Sequence, residues 1–291
     1  MSKLPLISII VVNYNTSTHI TDLLDALLLS SYPNFEVIIV DNASPNDDLA
    51  HLLEHQLSVT LIESTENLGF AGGNNLGMEA GNGDYFLFLN PDVVIMPNLI
   101  EELLIPFKIN PQVGMVSPKI KYYDNPEIIQ YAGFSAMSRF TMRTKAYGKG
   151  SKDNSLNNYA TPTSFGHGAA MLLSREVVQQ VGKMNPNYFL YYEEFDWAER
   201  IRKAGFMIYY APETIVLHKE SMAVQQDSPL KTYYLARNRL LFARLHYTAW
   251  QKLGFFFYQL LILFPRNVLK YINQPPLLRA YIKGVTWHLS L

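Results

Sequence analysis

Residues Tyr85 to Val94 read Tyr-Phe-Leu-Phe-Leu-Asn-Pro-Asp-Val-Val, and the first half of that phrase leaves few folds open. Five consecutive apolar or aromatic side chains have no polar face, which suits a strand buried on both sides in the middle of a parallel sheet. Proline 91 ends the ladder, and the next residue is a carboxylate. A strand of this kind delivers Asn90 and Asp92 to the carboxyl edge of the sheet, where open α/β folds bind ligands. Asp92 therefore reads as a candidate holder of a divalent metal. Taken alone it reads equally as part of a turn, since Asn, Pro and Asp are all turn residues.

The preceding residues repeat the pattern. Ile7 to Val12 is continuously apolar and ends in Asn13-Tyr14-Asn15, and Val37 to Val40 ends at Asp41. Between them Ile20, Leu23, Leu24, Leu27 and Leu28 fall at helical spacing behind Thr16-Ser17-Thr18, which supply N-cap residues. A short helix through Leu49, Leu52 and Leu53, a strand from Val59 to Ile62 and a helix from Asn74 to Ala80 lead into the opening strand. Pro97-Asn98 starts a further helix through about Phe107, and Val113 to Val116 reads as a strand. Alternation of this kind predicts an α/β fold, a Rossmann-like and mostly parallel central sheet flanked by helices. From Tyr131 to Ser164 the pattern dissolves, and a stretch that long reads as a substrate-side cover or a plain connector.

Three strand ends carry polar side chains: Asn13 with Asn15, Asp41-Asn42-Ala43-Ser44, and Asn90-Pro91-Asp92. Their succession points to a shared cleft along one sheet edge. Between them Asn67-Leu-Gly-Phe-Ala-Gly-Gly-Asn-Asn brings Gly69, Gly72 and Gly73 together with Asn67 and Asn74. These glycines suit a close backbone approach to an anion at a helix start, although the spacing matches neither the dinucleotide fingerprint nor a P-loop. A second acidic centre follows the aromatic run Tyr188-Phe-Leu-Tyr-Tyr, where Glu193 and Glu194 open an acid-rich helix. Acids in a first turn favour the helix dipole. An aromatic wall behind them also raises a carboxylate's proton affinity toward that of a general base. Ile215-Val-Leu-His218 ends a last apolar run on a histidine.

In order along the chain, Val11-Val-Asn-Tyr-Asn15, Val40-Asp-Asn-Ala-Ser44, Asn67 to Asn75, Leu89-Asn-Pro-Asp92, Gly166-His-Gly-Ala-Ala170, Tyr191-Tyr-Glu-Glu-Phe-Asp196, His218 and Tyr233-Tyr-Leu-Ala-Arg-Asn238 resemble family 2 glycosyltransferases of the GT-A fold. The likeness is greatest to the rhamnosyltransferase-like branch that builds bacterial surface polysaccharides, and it covers roughly residues 6 to 245. It implies a nucleoside-diphosphate-sugar donor, with deoxythymidine-diphosphate-rhamnose the first expectation, and a glycan or polyprenyl-linked acceptor. It also implies that Asp41 reads the base beside Asn13 and Asn15, and that the loop from Asn67 through Gly69, Gly72 and Gly73 to Asn74 faces the ribose, diphosphate or sugar. Asp92 and His218 would hold Mn²⁺ or Mg²⁺. Asn90 stands where the family more often has a first aspartate, which leaves one charge fewer. Glu194 matches the acceptor-deprotonating position, more often Asp, with Glu193 the alternative. The implied reaction is an inverting displacement. A nucleotidyltransferase would want a basic residue near the glycine-rich loop, and none lies between Asn67 and Gly83. A non-catalytic sugar-nucleotide binder is the remaining alternative.

Charge divides the chain. It carries 24 Lys+Arg against 25 Asp+Glu, yet no acid lies beyond Asp227, where nine basic residues do. Residues 228–291 therefore read as a basic, apolar helical extension to a catalytic domain of residues 1–227. Leu253 to Phe264 is very apolar but short of the roughly 20 residues that span a bilayer. Apolar stretches with basic flanks and no acids suit an anionic membrane surface. Contact with the catalytic domain or with a second subunit in a homo-oligomer is the alternative, and nucleic acid is not expected, because the apolar face would be wasted on phosphates. There are no cysteines, and the first residues lack a cleavage-site pattern, so a cytoplasmic protein peripheral on the inner face of the cell membrane is the expectation.

Overall fold

In the computed structural model, which describes residues 4–153, 158–219 and 228–289, the first half alternates strand and helix as the periodicity predicts. Strand β1 (Ile7–Asn13), helix α1 (Ser17–Leu28), β2 (Phe35–Asp41), α2 (Ala50–Leu53), β3 (Val59–Glu63), α3 (Gly69–Ala80) and β4 (Tyr85–Leu89) follow in order. β1 pairs in parallel with β2 and β4, and β2 with β3. The register sets Asn13 beside Asp41 and Val11 beside Leu89, so the polar strand ends finish at one edge. Both faces of β4 are covered. Leu87 and Leu89 join one apolar cluster with α1, while Phe86 and Phe88 join another with Trp197. That two-sided burial is why the run has no polar face.

The second half is more mixed. β5 (Val93–Ile95), α4 (Leu99–Ile109), β6 (Val113–Tyr122), β7 (Ile129–Tyr131), β8 (Thr161–Thr163), β9 (Ala170–Ser174), α5 (Arg175–Val181), α6 (Glu193–Lys203) and β10 (Met207–His218) follow. The main strand order is β3-β2-β1-β4-β9-β6-β10-β5. β9 runs antiparallel between β4 and β6, whereas β6 and β10 are parallel. Ala170 to Leu173 of β9 are apolar and buried, so composition does not reveal its sense. Several points tether the described part of the stretch from Tyr131 to Ser164 to the fold. β7 and β8 add to the sheet, Lys119 Nζ bonds Asp153 at 2.9 Å, and Arg139 pairs with Glu199 of α6 at 2.6 Å.

Helices α7 (Pro229–His246), α8 (Ala249–Tyr258), α9 (Phe264–Tyr271) and α10 (Pro275–Thr286) complete the chain. Packing shows no divide at residue 227: Leu241, Phe242, Tyr247 and Phe255 lie in the same cluster as Phe86, Phe88 and Trp197. The charge boundary is a property of the surface, and α7 belongs to the core.

Candidate active site

The carboxyl edge of the sheet opens into a hollow of about 440 Å³. Of the residues the sequence singles out, Asn67, Gly69, Asn90, Asp92, Glu193, Glu194 and His218 line it. Asp92, Glu194 and His218 thus converge from distant parts of the chain. Asp41 does not join them. It is buried, and its carboxylate accepts from Asn13 Nδ2 at 2.8 Å and from the Ser44 hydroxyl at 2.6 Å. Asn13 Nδ2 also reaches Asp47 Oδ2 at 2.9 Å, while Asn13 Oδ1 accepts from the Thr16 backbone at 3.0 Å. Asn15 sits at φ 56°, its N–H on the Ser44 hydroxyl. Asn13, Asp41 and Asp47 therefore brace the segment from which Tyr14, Thr16 and His19 reach the hollow.

The glycine-rich stretch is built differently from an anion cradle. Helix α3 begins at Gly69, five residues before the helix start the pattern predicts. Its first free N–H groups already have partners: Gly69 N–H donates to Asn67 Oδ1 at 2.9 Å and Phe70 N–H to the Phe189 carbonyl at 2.7 Å. Gly72 and Gly73 are glycines for steric reasons, since a Cβ would lie 2.5 Å from Leu68 Cβ and 2.8 Å from Val12 Cγ1. Asn74 is buried, and its side chain turns back along its own helix to donate to the Phe70 carbonyl at 2.9 Å. None of these three lines the hollow. Gly69 has a second role, because its φ of +70° and the Phe189 carbonyl 2.1 Å from a built Cβ leave room for no side chain. Asn42, part of the second polar strand end, lines the hollow and joins β2 to this turn, donating to Asn67 Oδ1 and to the Gly69 carbonyl.

Asp92 and His218 meet because β10 pairs antiparallel with β5, setting His218 opposite Val93. Both are buried, with His218 Nε2 3.4 Å from Asp92 Oδ1. Nδ1 of His218 faces Gln130 Oε1 at 2.9 Å, which places the ring proton on Nδ1 and turns the Nε2 lone pair to Asp92 and to Asn90 Nδ2 at 3.5 Å. Two buried acceptors this close call for a positive charge between them, supplied by a second proton or by a metal ion. Burial pushes the Asp92 carboxyl up, but the hydrogen bond and charge of His218 outweigh it and hold the group below the usual range.

Glu193 and Glu194 open α6 behind a backbone in rarely used conformations: φ is 63° at Phe189, 68° at Tyr191 and 77° at Tyr192. Non-glycine residues hold such values only where surrounding structure enforces them. Here α7 does so. The fully buried Asn238 directs Nδ2 to the carbonyls of Tyr188, Leu190 and Tyr191 at 2.9, 2.8 and 2.7 Å. Arg237 bonds the carbonyls of Asn187 and Tyr188 and donates from Nε to Asn238 Oδ1 at 2.8 Å. Asp196, one turn into α6, is held by His246 at 2.6 Å and by Arg200 at 2.8 Å. Desolvation governs the two glutamates despite the helix dipole. Burial pushes Glu194 up to about 7, and burial together with the charge of Glu194 pushes Glu193 well above the carboxylate range. Both carboxyls thus hold a proton more readily than an exposed glutamate, and they titrate as a pair.

A hollow at the carboxyl edge of such a sheet, with a carboxylate–histidine pair on one side and a raised glutamate on the other, invites comparison with known proteins. Residues 8–182 match the family model for glycosyl transferase family 2. The chain belongs to that family. This glycosyltransferase is 26% identical over 242 residues to the N-acetylglucosaminyl-diphospho-decaprenol L-rhamnosyltransferase of Mycobacterium tuberculosis, covering 75% of this chain and 78% of that protein. It is 27% identical over 248 residues to the low-salt glycan biosynthesis hexosyltransferase Agl10 of Haloferax volcanii, covering 81% and 74%. Its GT-A fold is shared with the mannosyltransferase PcManGT of Pyrobaculum calidifontis, solved with GDP-Man and Mn²⁺, at a TM-score of 0.63 and 15% identity over 99% of this chain and 88% of that one. TarS 1-349 of S. aureus with UDP gives 0.57 and 15% over 96% and 80%.

The site also holds residues that strand-end reasoning missed. His167 lines the hollow within the quoted Gly166 to Ala170 phrase, and burial pushes its imidazole down to about 3, so it is neutral. Its Nδ1 accepts from Ala169 N–H at 3.2 Å, which leaves Nε2–H as its donor. Phe70, Phe134, Phe189 and Tyr191 give the hollow apolar walls.

Proposed function

We propose that this glycosyltransferase is an inverting enzyme that moves a sugar, rhamnose by first preference, from a nucleoside-diphosphate donor to a hydroxyl of a glycan or polyprenyl-linked acceptor. The observation that carries the reading is the meeting of Asp92, His218 and Glu194 around one hollow. Likeness to the rhamnosyltransferase and hexosyltransferase above supports the substrate class.

The nucleoside end would lie over the ends of β1 and β2, where Asn13 and Asp41 fix the segment bearing Tyr14, Asn15 and Thr16. The diphosphate would lie near Asn67, Gly69 and Asn90. A divalent ion fits between Asp92 and His218, because one carboxylate oxygen and one imidazole nitrogen, oriented by Gln130, are oxygen and nitrogen donors of the kind Mn²⁺ and Mg²⁺ accept. Among the described residues no third acidic or histidine side chain joins them, so phosphate oxygens and water would complete the shell. Such an ion supplies positive charge for the leaving diphosphate. Glu194 takes the acceptor's proton as that oxygen forms its bond to the anomeric carbon from the face opposite the diphosphate. The carbon–oxygen bond to phosphate breaks with its electron pair leaving on the nucleoside diphosphate. Glu193, its proton affinity raised by burial and by the neighbouring carboxylate, lies beside it. His167 Nε2–H is a donor for a sugar hydroxyl. The apolar walls exclude water and keep Glu194's proton affinity high.

The same reading places the protein at the inner face of the cell membrane, on the basic segment 228–291, where a polyprenyl-linked acceptor is presented. A donor screen following nucleoside-diphosphate release with and without Mn²⁺ tests the whole proposal. Absence of turnover with every nucleotide sugar and lipid-linked acceptor would sink it.

A further inference from the structure

From Leu253 onward, helix α8 and the π-helical turn that follows it, Gln259–Leu263, carry apolar side chains on both the buried and the exposed side, with Gln259 the one polar exception. Phe255, Gln259 and Leu263 point inward and are buried. The opposite side exposes Trp250 (81%), Phe257, Leu260 and Leu261 (67%), and Leu269 of α9 (70%) and Ile272 continue it. A helical stretch with large apolar side chains on its exposed side as well as its buried one calls for cover by a protein or a membrane. Contiguous exposure of this extent marks an interaction face rather than scattered surface residues. Among the described residues no helix is long and apolar enough to cross a bilayer.

Beside this face, α7 and α8 enclose an open hollow of about 490 Å³, lined by Leu240, Phe255 and Phe256 with Arg244 and Lys252. Both cations are exposed, and neither side chain has a hydrogen-bond or ion-pair partner among the described residues. No acid exists anywhere beyond Asp227 to neutralise them. Apolar walls with unpaired cations match an amphiphile that has a negative head and a hydrocarbon tail. A second copy of the chain does not offer that complement, since a two-fold contact through this face would set cations against cations.

We infer that the α8–α10 face rests on the bilayer surface, and that Arg244 and Lys252 seat the phosphate of an anionic phospholipid whose chains continue along Phe256 and Phe257. This rests on the membrane reading given above and names the lipid chemistry and the seat. The helices lie in the interface, with Trp250 and Leu261 below the headgroups. The active-site loop is clamped by α7, the helix that also carries Arg244, so the lipid seat and the catalytic hollow share one rigid element.

The test is co-sedimentation of the full chain with vesicles of phosphatidylcholine alone or mixed with phosphatidylglycerol, at low and high salt. It reads no sugar transfer, so it can fail while the catalytic reading stands. Wild-type protein is expected to bind the mixed vesicles, to bind less at high salt and to bind phosphatidylcholine weakly. Each basic residue at an anionic surface is worth roughly fivefold in partitioning. Arg244→Ala/Lys252→Ala should therefore lose binding tenfold or more. It should also lose several-fold more than Arg266→Ala/Arg279→Ala, which removes the same charge from the same segment. Trp250→Ser/Leu261→Ser should weaken binding to both vesicle types. Circular dichroism and thermal melts confirm that each variant is folded. Wild-type protein that stays in the supernatant with all vesicles overturns the membrane reading and the seat with it. Equal losses in the two charge-matched pairs overturn the seat alone. A vesicle-independent dimer that Trp250→Ser dissociates gives the face to a second copy and overturns the proposal.

Discussion

Asn238→Ala is the substitution that most directly tests how the glutamates are held. The variant deprives the carbonyls of Leu190 and Tyr191 of a buried donor, while the Tyr188 carbonyl keeps Arg237. Each orphaned carbonyl costs about 1–3 kcal/mol. The positive-φ residues Phe189, Tyr191 and Tyr192 carry strain of order 1–3 kcal/mol each, so a freed loop recovers part of the loss by relaxing. The expected net destabilisation is about 2–4 kcal/mol, which for a chain of this size lowers the melting temperature by roughly 4–15 °C. Relaxation also moves Glu193 and Glu194, which follow directly in the chain, and a displacement of about 1 Å costs on the order of a hundredfold in turnover. Asn238→Asp sharpens the test. It is isosteric, yet it turns an acceptor toward three carbonyl oxygens, so it should be at least as damaging as alanine. The assays are a thermal melt, nucleoside-diphosphate release across pH, and calorimetric donor binding. Turnover should fall while donor affinity changes little, and the midpoint of the pH profile should drop from near 7 toward the ordinary glutamate range as water reaches the loop. An Asn238→Asp enzyme with wild-type stability and turnover would refute the clamp.

Further outcomes follow from the same geometry. Glu194→Gln should abolish transfer and leave donor binding intact, and retention of most turnover would remove Glu194 from the base role. For wild type, turnover should rise with pH through about 7, because burial lifts the Glu194 carboxyl to about that value and only the anion accepts a proton. The sign for stability is the opposite. A carboxyl raised in the folded state holds its proton while the unfolded chain has already ionised, so stability falls as pH climbs from about 4.5 to 7. Glu194→Gln should therefore be more stable than wild type at pH 8, by on the order of 1–3 kcal/mol after allowing for partial exposure. Asp92→Ala should lose Mn²⁺ binding measured by electron paramagnetic resonance with protein alone, and unchanged binding would count against the pair with His218. Gly69→Ala should destabilise the fold by several kcal/mol, since it combines a positive φ with contact against the Phe189 backbone, whereas Gly150→Ala meets nothing within 4 Å and should cost only its own φ strain.

The sheet was legible in the sequence wherever burial on two faces stamps a continuous apolar run, as in β1, β2 and β4. Pro91 marked the end of β4 because it cannot continue a ladder. What sequence could not carry was direction and depth. The four apolar residues Ala170 to Leu173 of β9 read the same in either sense, and the glycines of α3 signal close packing as readily as an anion cradle. Val12 and Leu68 decide between those readings, and their positions are facts of three dimensions. Asp41 shows the same limit: a carboxylate at a strand end is as able to brace a loop through Asn13 and Ser44 as to face a ligand.

The C-terminal segment makes the same point at the level of the whole chain. Charge separates residues beyond Asp227 from the rest, and charge reports on surface; packing reports on folding, and by packing α7 is inside. Its Arg237 lies 4.8 Å from the Tyr234 ring and 4.9 Å from the Trp287 ring, which holds the guanidinium between α7 and the turn after α10 while it bonds the loop before Glu193. The strained backbone that aims the base is thus stabilised by residues lying more than forty positions later in the chain. A truncation at residue 227 would not leave a smaller catalytic domain. It would remove Asn238 and Arg237 together, free the carbonyls of Tyr188, Leu190 and Tyr191, and expose Phe86, Phe88 and Trp197 along the face that Phe242 and Tyr247 share with them. Such a fragment should be insoluble or molten when expressed. A soluble fragment of residues 1–227 that melts cooperatively would show that α7 is an appendage after all.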